Sequence, residues 1–145
     1  MKKFLTVLAI CLVSMSSFCQ IQVQKGPETR DVIRAMGMNS SVTIVEMKNE
    51  DITSYYIRSI TTNRFDKSFL MPIGHTEEDV IASLEALNKM SSAKKGDKFT
   101  IDENFRATVV AKNTLYLGGK GYAGCAEITK KQIEKLQKYY ADGGH

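Results

Sequence analysis

Two short stretches fix where this chain turns from strand to helix. Thr76-Glu77-Glu78-Asp79 sets a hydroxyl ahead of acidic residues with a carboxylate at the third position, and Thr129-Lys130-Lys131-Gln132 repeats the arrangement with an amide. In such a capping box the hydroxyl accepts from a backbone N–H three residues on, while the third side chain reaches back to the cap. Two donors that a helix start leaves open are thereby satisfied. After the first box, Val80, Ile81, Leu84 and Leu87 recur at helical spacing as far as Asn88 or Met90. After the second, Ile133, Leu136 and Tyr140 do the same to Ala141, and Asp142-Gly143-Gly144 stops the run. Two amphipathic helices are predicted; Asp31–Met38 reads as a helical turn or a loop, and the other segments as strand or loop.

The segments between them read as strands. Ser41–Lys48 and Ser54–Thr62 are β-branched and apolar and flank the turn-forming Asn49-Glu50-Asp51, which predicts a hairpin. A third extended piece, Ser68–Ile73, carries Pro72 near its end and so belongs at a sheet edge. Beyond the polar Ser91–Lys98 loop, strands are expected at Phe99–Asp102, Phe105–Lys112, Thr114–Leu117 and Tyr122–Glu127. Gln20–Asn39 is weakly patterned, with a short alternation at Ile21–Gln24 broken by Gly26-Pro27. The order ββ(β)αββββα predicts an α+β domain over residues 41–145, preceded by a weakly structured segment 20–40. Its expected architecture is one antiparallel sheet of about six strands, packed on one face by the two helices.

Residues 1–19 have the layout of a secretory signal: Lys2 and Lys3, an apolar stretch Phe4–Val13, then small polar residues. The apolar run is shorter than the roughly 20 residues that span a bilayer, so no transmembrane segment is expected once the signal is removed. Cleavage after Cys19 would leave Gln20 as the new terminus. The alternative, a lipoprotein anchored through Cys19, requires a small residue where the bulky Phe18 stands. An exported protein, periplasmic or secreted, is the expectation. Loss of Lys2 and Lys3 lowers the formal charge from +4 to +2, which does not call for a nucleic-acid partner. Cys11 and Cys19 fall in the signal, so Cys125 is the single mature thiol and no internal disulfide is expected.

Gly119-Lys120-Gly121-Tyr122-Ala123-Gly124 matches the G-x-G-x-x-G spacing of dinucleotide sites. That chemistry needs the last glycine to open directly into a helix and a further parallel strand to follow. Here the next helix starts only at Thr129 and no strand succeeds it. The stretch is expected to be a hairpin, with Gly119-Lys120 as a two-residue turn and Gly124 within the returning strand. No cofactor is expected.

Other candidates for chemistry are sparse. Cys125 with His75 as base would make a thiol hydrolase or transferase, although a lone thiol is more often a small buried hydrophobe; an intermolecular disulfide is the third reading. Glu77, Glu78 and Asp79 point apart on a helix, and two distant histidines give no zinc spacing, so no metal is expected. Tyr55 and Tyr56 must face opposite sides of their strand, one in the core and one available to a partner. Lys131, Lys135 and Lys138, with Lys130, line the last helix, and Lys94, Lys95 and Lys98 crowd one loop. If these faced the same way they would suit an acidic polymer, a lipid surface or an acidic protein. The function expected is that of an exported, non-catalytic binding or interaction protein, its partner a protein, a glycan or a surface lipid. The alternatives are the thiol enzyme and an inhibitor or immunity-type protein that plugs a partner's site.

Overall fold

Both capping boxes close as their side chains require. In the computed structural model, which describes residues 26–38, 40–61, 68–121 and 124–144, Thr76 Oγ1 accepts from the Asp79 N–H at 3.2 Å and starts helix α1, Glu77–Ser91. Thr129 and Gln132 start helix α2, Lys130–Ala141, in the same way. The Asp79 carboxylate accepts from the N–H groups of His75 and Thr76 at 2.9 and 3.0 Å. Those two donors, His75 first, hold its carboxyl below the usual aspartate range. The expected leader and the expected strand at Ile21–Gln24 lie outside the described residues.

Four strands precede α1: β1 Glu28–Met36, β2 Ser40–Asn49, β3 Ile52–Thr61 and β4 Phe69–Gly74. Four more precede α2: β5 Lys98–Thr100, β6 Phe105–Ala111, β7 Thr114–Gly119 and β8 Cys125–Thr129. Each set forms its own antiparallel meander, so the α+β class holds but the single six-stranded sheet does not: there are two sheets, ordered β1-β2-β3-β4 and β5-β6-β7-β8. The β2–β3 hairpin turns at Glu50-Asp51 as expected, and β4, with its proline, is an edge strand.

The unforeseen strand is β1, which falls in the segment read as weakly structured. Its register slips between Asp31 and Ile33, so Val32 is an extra residue and two apolar side chains stand side by side. That bulge hides the period of two by which a strand is read.

The two meanders share one core. Val42, Ile44 and Ile57 from the first sheet, Leu115, Leu117 and Ile128 from the second, and Leu84, Ile133 and Leu136 from the helices belong to a single cluster. Phe69 and Phe105 join the sheets edge to face at 5.8 Å. The helices cross over: α1 packs on β4 and also on β6 and β7, while α2 packs on β8 and on β1 of the other meander. They lie against each other, with Asn88 Nδ2 donating to Gln137 Oε1 at 2.7 Å.

One side chain ties this crossing. Gln132 is buried; its Oε1 accepts from the N–H and the hydroxyl of Thr129, both at 3.0 Å, and its Nε2 donates to the carbonyls of Ala35 at 3.5 Å and Ser40 at 3.3 Å. Gly37, in the β1–β2 turn, leaves the room: a Cβ there would lie 2.6 Å from Gln132 Nε2. Gln132→Leu keeps the volume but takes the amide donor from the carbonyls of Ala35 and Ser40, the second of which keeps the Gly37 N–H at 2.8 Å, and removes half the capping box. It is expected to cost about 2–3 kcal/mol in denaturant unfolding; a loss below about 0.5 kcal/mol would mean that the carbonyls find water instead.

The Asp79 cap sets a pH signature. A carboxyl held lower in the folded chain than in the unfolded one stabilises above the ordinary aspartate range, and that contribution is lost as pH falls through the folded value. The melting temperatures of the natural chain and of Asp79→Asn should differ at neutral pH and converge in acid. A gap that stays constant across a pH series followed by circular dichroism would assign the cap to geometry rather than charge.

Candidate binding face

Because α1 and α2 sit on the inner sides, strand alternation decides what the outer sides carry. Along β6, Phe105, Ala107 and Val109 turn inward; along β7 Leu115 and Leu117 do, and along β8 Ala126 and Ile128. Their neighbours therefore stand outside, and the pairing places them in rows. Thr100, Arg106, Gly118 and Cys125 form one row, and Lys98, Thr108, Tyr116 and Glu127 the next.

Gly118 opens a gap in the first row. A depression of about 310 Å³ lies there, lined by Asn104, Arg106, Thr108, Tyr116, Gly118, Gly119 and Lys120. Tyr116 is 39% exposed, and its Cε1 lies 3.8 Å from where a Cβ on Gly118 would be. The ring therefore borders a floor made of backbone. The rim is fixed by the loops at this end. Asp102 Oδ1 accepts from the N–H groups of Asn104 and Phe105, the Lys120 N–H donates to the Asn104 carbonyl at 2.9 Å, and that of Gly119 to the Gly124 carbonyl at 3.0 Å.

The outer side of the first sheet is closed instead. Thr43 and Val45 are buried there, in register with Arg34, Arg58 and Asp31, which link to one another across the strands. Arg58 Nη2 meets both Asp31 oxygens at 2.8 Å, Arg34 Nη2 meets one at 3.1 Å, and Arg34 Nε donates to Thr43 Oγ1 at 3.3 Å. The ends of this side carry exposed apolar residues: Met36 and Ile60 flank Ser41 in one row at 66% and 44% exposure, and Ile52 stands at the far end of β3.

The residues singled out in the sequence are dispersed. Tyr55 is the core member of its pair: it is buried, and its hydroxyl donates to Glu46 at 3.2 Å. It is therefore not a contact residue. Burial and that bond to Glu46 both push its phenol up. Burial acts to raise Glu46 as well, but the Tyr55 hydroxyl and the charges of Arg30 and Lys48 outweigh it and hold the carboxyl low. Tyr56 is half-buried on the closed outer side, in register with Val45 and Pro72.

Cys125 is exposed, not buried, because the alternation of β8 puts Ala126 inside. His75 does not approach it. Its Nδ1 lies 3.1 Å from Ser54 Oγ and 3.0 Å from the Thr53 carbonyl. β8 meets the first sheet at the other end, where Ser40 Oγ donates to the Glu127 carbonyl. From Ser40 to Lys48, the partner of Thr53, β2 runs about 26 Å, too far for a thiol–imidazole pair.

Lys131, Lys135 and Lys138 are exposed on α2, whereas Lys98 is on the outer side of the second sheet. The sheet stands between Lys98 and the lysines of α2, while the loop that carries Lys94 and Lys95 starts beside α2 at Ser92. Lys130 is committed to Ser92 Oγ at 3.0 Å. The glycine motif joins two antiparallel strands, with Gly118 and Gly119 inside β7 and positive φ at Gly121 and Gly124. The hairpin is as expected, but its connection is longer than two residues and Gly124 precedes the returning strand. Among the described residues no group of three or more His, Cys, Asp or Glu side chains is placed to hold a metal, and no helix is long and apolar enough to cross a membrane.

Sequence reasoning missed Arg106, Tyr116 and Gly118. Their signal was present as the outward half of the β6 and β7 alternation, once Gly118 is counted as strand rather than turn.

The tyrosine pair offers a check on the inside–outside assignment. Tyr55→Ala is expected to cost about 3–5 kcal/mol of stability, as large core truncations do, and Tyr56→Ala about 1 kcal/mol. Equal losses in thermal unfolding would overturn it.

Comparison of the chain with protein-family models, with characterised proteins and with solved structures gave no match.

Proposed function

We propose that this chain is an exported, non-catalytic binding protein of the cell envelope or extracellular space that holds its partner on the outer side of the second sheet. The observation that carries this reading is the pair of rows over β5–β8: an exposed tyrosine and three cations, Lys98, Arg106 and Lys120, around a floor of glycine backbone. Such a surface combines an aromatic anchor with charge that steers and orients, the features on which binding energy concentrates. The first sheet spends its outer arginines on Asp31, so it has less to offer. Export is supported by the layout of residues 1–19. The distance between Cys125 and His75 counts against the thiol enzyme.

Cys125 supplies the test, since it stands in the same row as Arg106 and Gly118. The mature chain, modified either with a small methylthio group or with a bulky maleimide, would be tested for retention of ligands from envelope and medium fractions. The bulky group should abolish retention and the small one leave it intact. Loss of function with both would favour a reacting thiol, and retention with both would place the binding surface elsewhere.

A further inference from the structure

The chemistry of the depression over Gly118 narrows the partner, on the premise that this face is the binding surface. We propose that it seats a carboxylated sugar, one residue of an acidic polysaccharide, with the sugar's apolar face on Tyr116 and its carboxylate on Arg106 and Lys120.

Three observations point to that class. Tyr116 borders a floor with no side chain, so a flat, non-aromatic ring can lie against the tyrosine without meeting a Cβ. Sugar rings present C–H groups on one face and hydroxyls at the edge, and a tyrosine matches them with an apolar body and a polar tip. Asn104 and Thr108 stand at the edge of the depression as hydrogen-bonding partners for hydroxyls.

The backbone suits a carboxylate better than a phosphate, although a guanidinium such as that of Arg106 takes either two-pronged. A phosphate in a glycine loop is held by backbone N–H groups. Here the N–H of Gly119 is given to Gly124 and that of Lys120 to Asn104. The glycine stretch has thus spent at these two positions the donors that a phosphate would need, although its spacing imitates a nucleotide site.

The shape suits a polymer rather than a free sugar. The depression is partly open to solvent, and Lys98 stands outside it in the adjacent row, about 7 Å along the strand direction. It offers a second cation to a following acidic residue. Glu127, the one carboxylate in these two rows, stands on the β8 side and directs an anionic chain toward β5–β7.

The test is titration of the mature chain with oligomers of galacturonic acid, against neutral maltooligosaccharides and inorganic polyphosphate, followed calorimetrically. Gly118→Val is the decisive variant. Position 118 is extended strand, and a Cβ there makes only ordinary contact, so the variant should fold at least as stably while filling the floor. Gly118→Val, Tyr116→Ala and Arg106→Gln are each expected to weaken oligouronate binding about tenfold or more, with neutral sugars and polyphosphate bound more weakly by the natural chain. The proposal is overturned if neutral and acidic oligomers bind alike, or if polyphosphate matches oligouronate and Gly118→Val changes nothing. It is also overturned if no oligouronate binds at millimolar concentration. Should maleimide on Cys125 still block partner retention in that last case, the face remains a binding surface and only the sugar is wrong; if it does not, both readings fall.

Discussion

The amide of Gln132 is the point on which the two halves of this molecule depend. A glutamine side chain offers two acceptor and two donor positions, and all four are used: two close the start of α2 and two hold the backbone at either end of the β1–β2 turn. Buried polar groups are costly unless fully partnered, so the arrangement leaves α2 little freedom in where it sits. Gly37 belongs to the same device, since any side chain there would occupy the space of the amide. Through it a helix cap, which is ordinarily a local feature, becomes a long-range tether.

Much of the architecture was legible because it is local. Both helices, their starting residues, the β2–β3 hairpin and the edge position of Pro72 follow from spacings a few residues long. What was not legible depends on partners distant in sequence. The bulge at Val32 shows its purpose only when β2 lies alongside, turning Asp31 to where Arg34 and Arg58 meet it. The division into two sheets depends on β8 meeting the start of β2 rather than pairing with it. The candidate site suffered most, because its floor is an absence of side chain. Glycine reads as a turn by propensity, and only the pairing of Gly118 with Arg106 and Cys125 reveals it as strand.

The two outer sides show how similar meanders reach opposite surface properties. On the first, a carboxylate stands between two arginines and offsets part of their charge over a buried strand. Exposed ion pairs of this kind contribute little stability, but they occupy the Nη2 atoms of Arg34 and Arg58 that a partner would otherwise engage. On the second, Arg106 stands beside a glycine and Lys98 beside a threonine, so the field of these cations is directed outward. The two outer sides differ in whether a carboxylate stands beside the arginines.

The exchange of helices between meanders has a consequence in time. Ala35 and Gln132 are 97 positions apart, and β1 is covered by α2, which is synthesised after both meanders. Neither meander keeps its own helix to itself, so no early portion of the chain encloses a finished core. Folding must wait for contacts that close most of the polypeptide into one loop, which slows it. For any chain threaded through a narrow passage before it folds, such a delay would keep the polypeptide extensible until the twelve residues of α2 have followed.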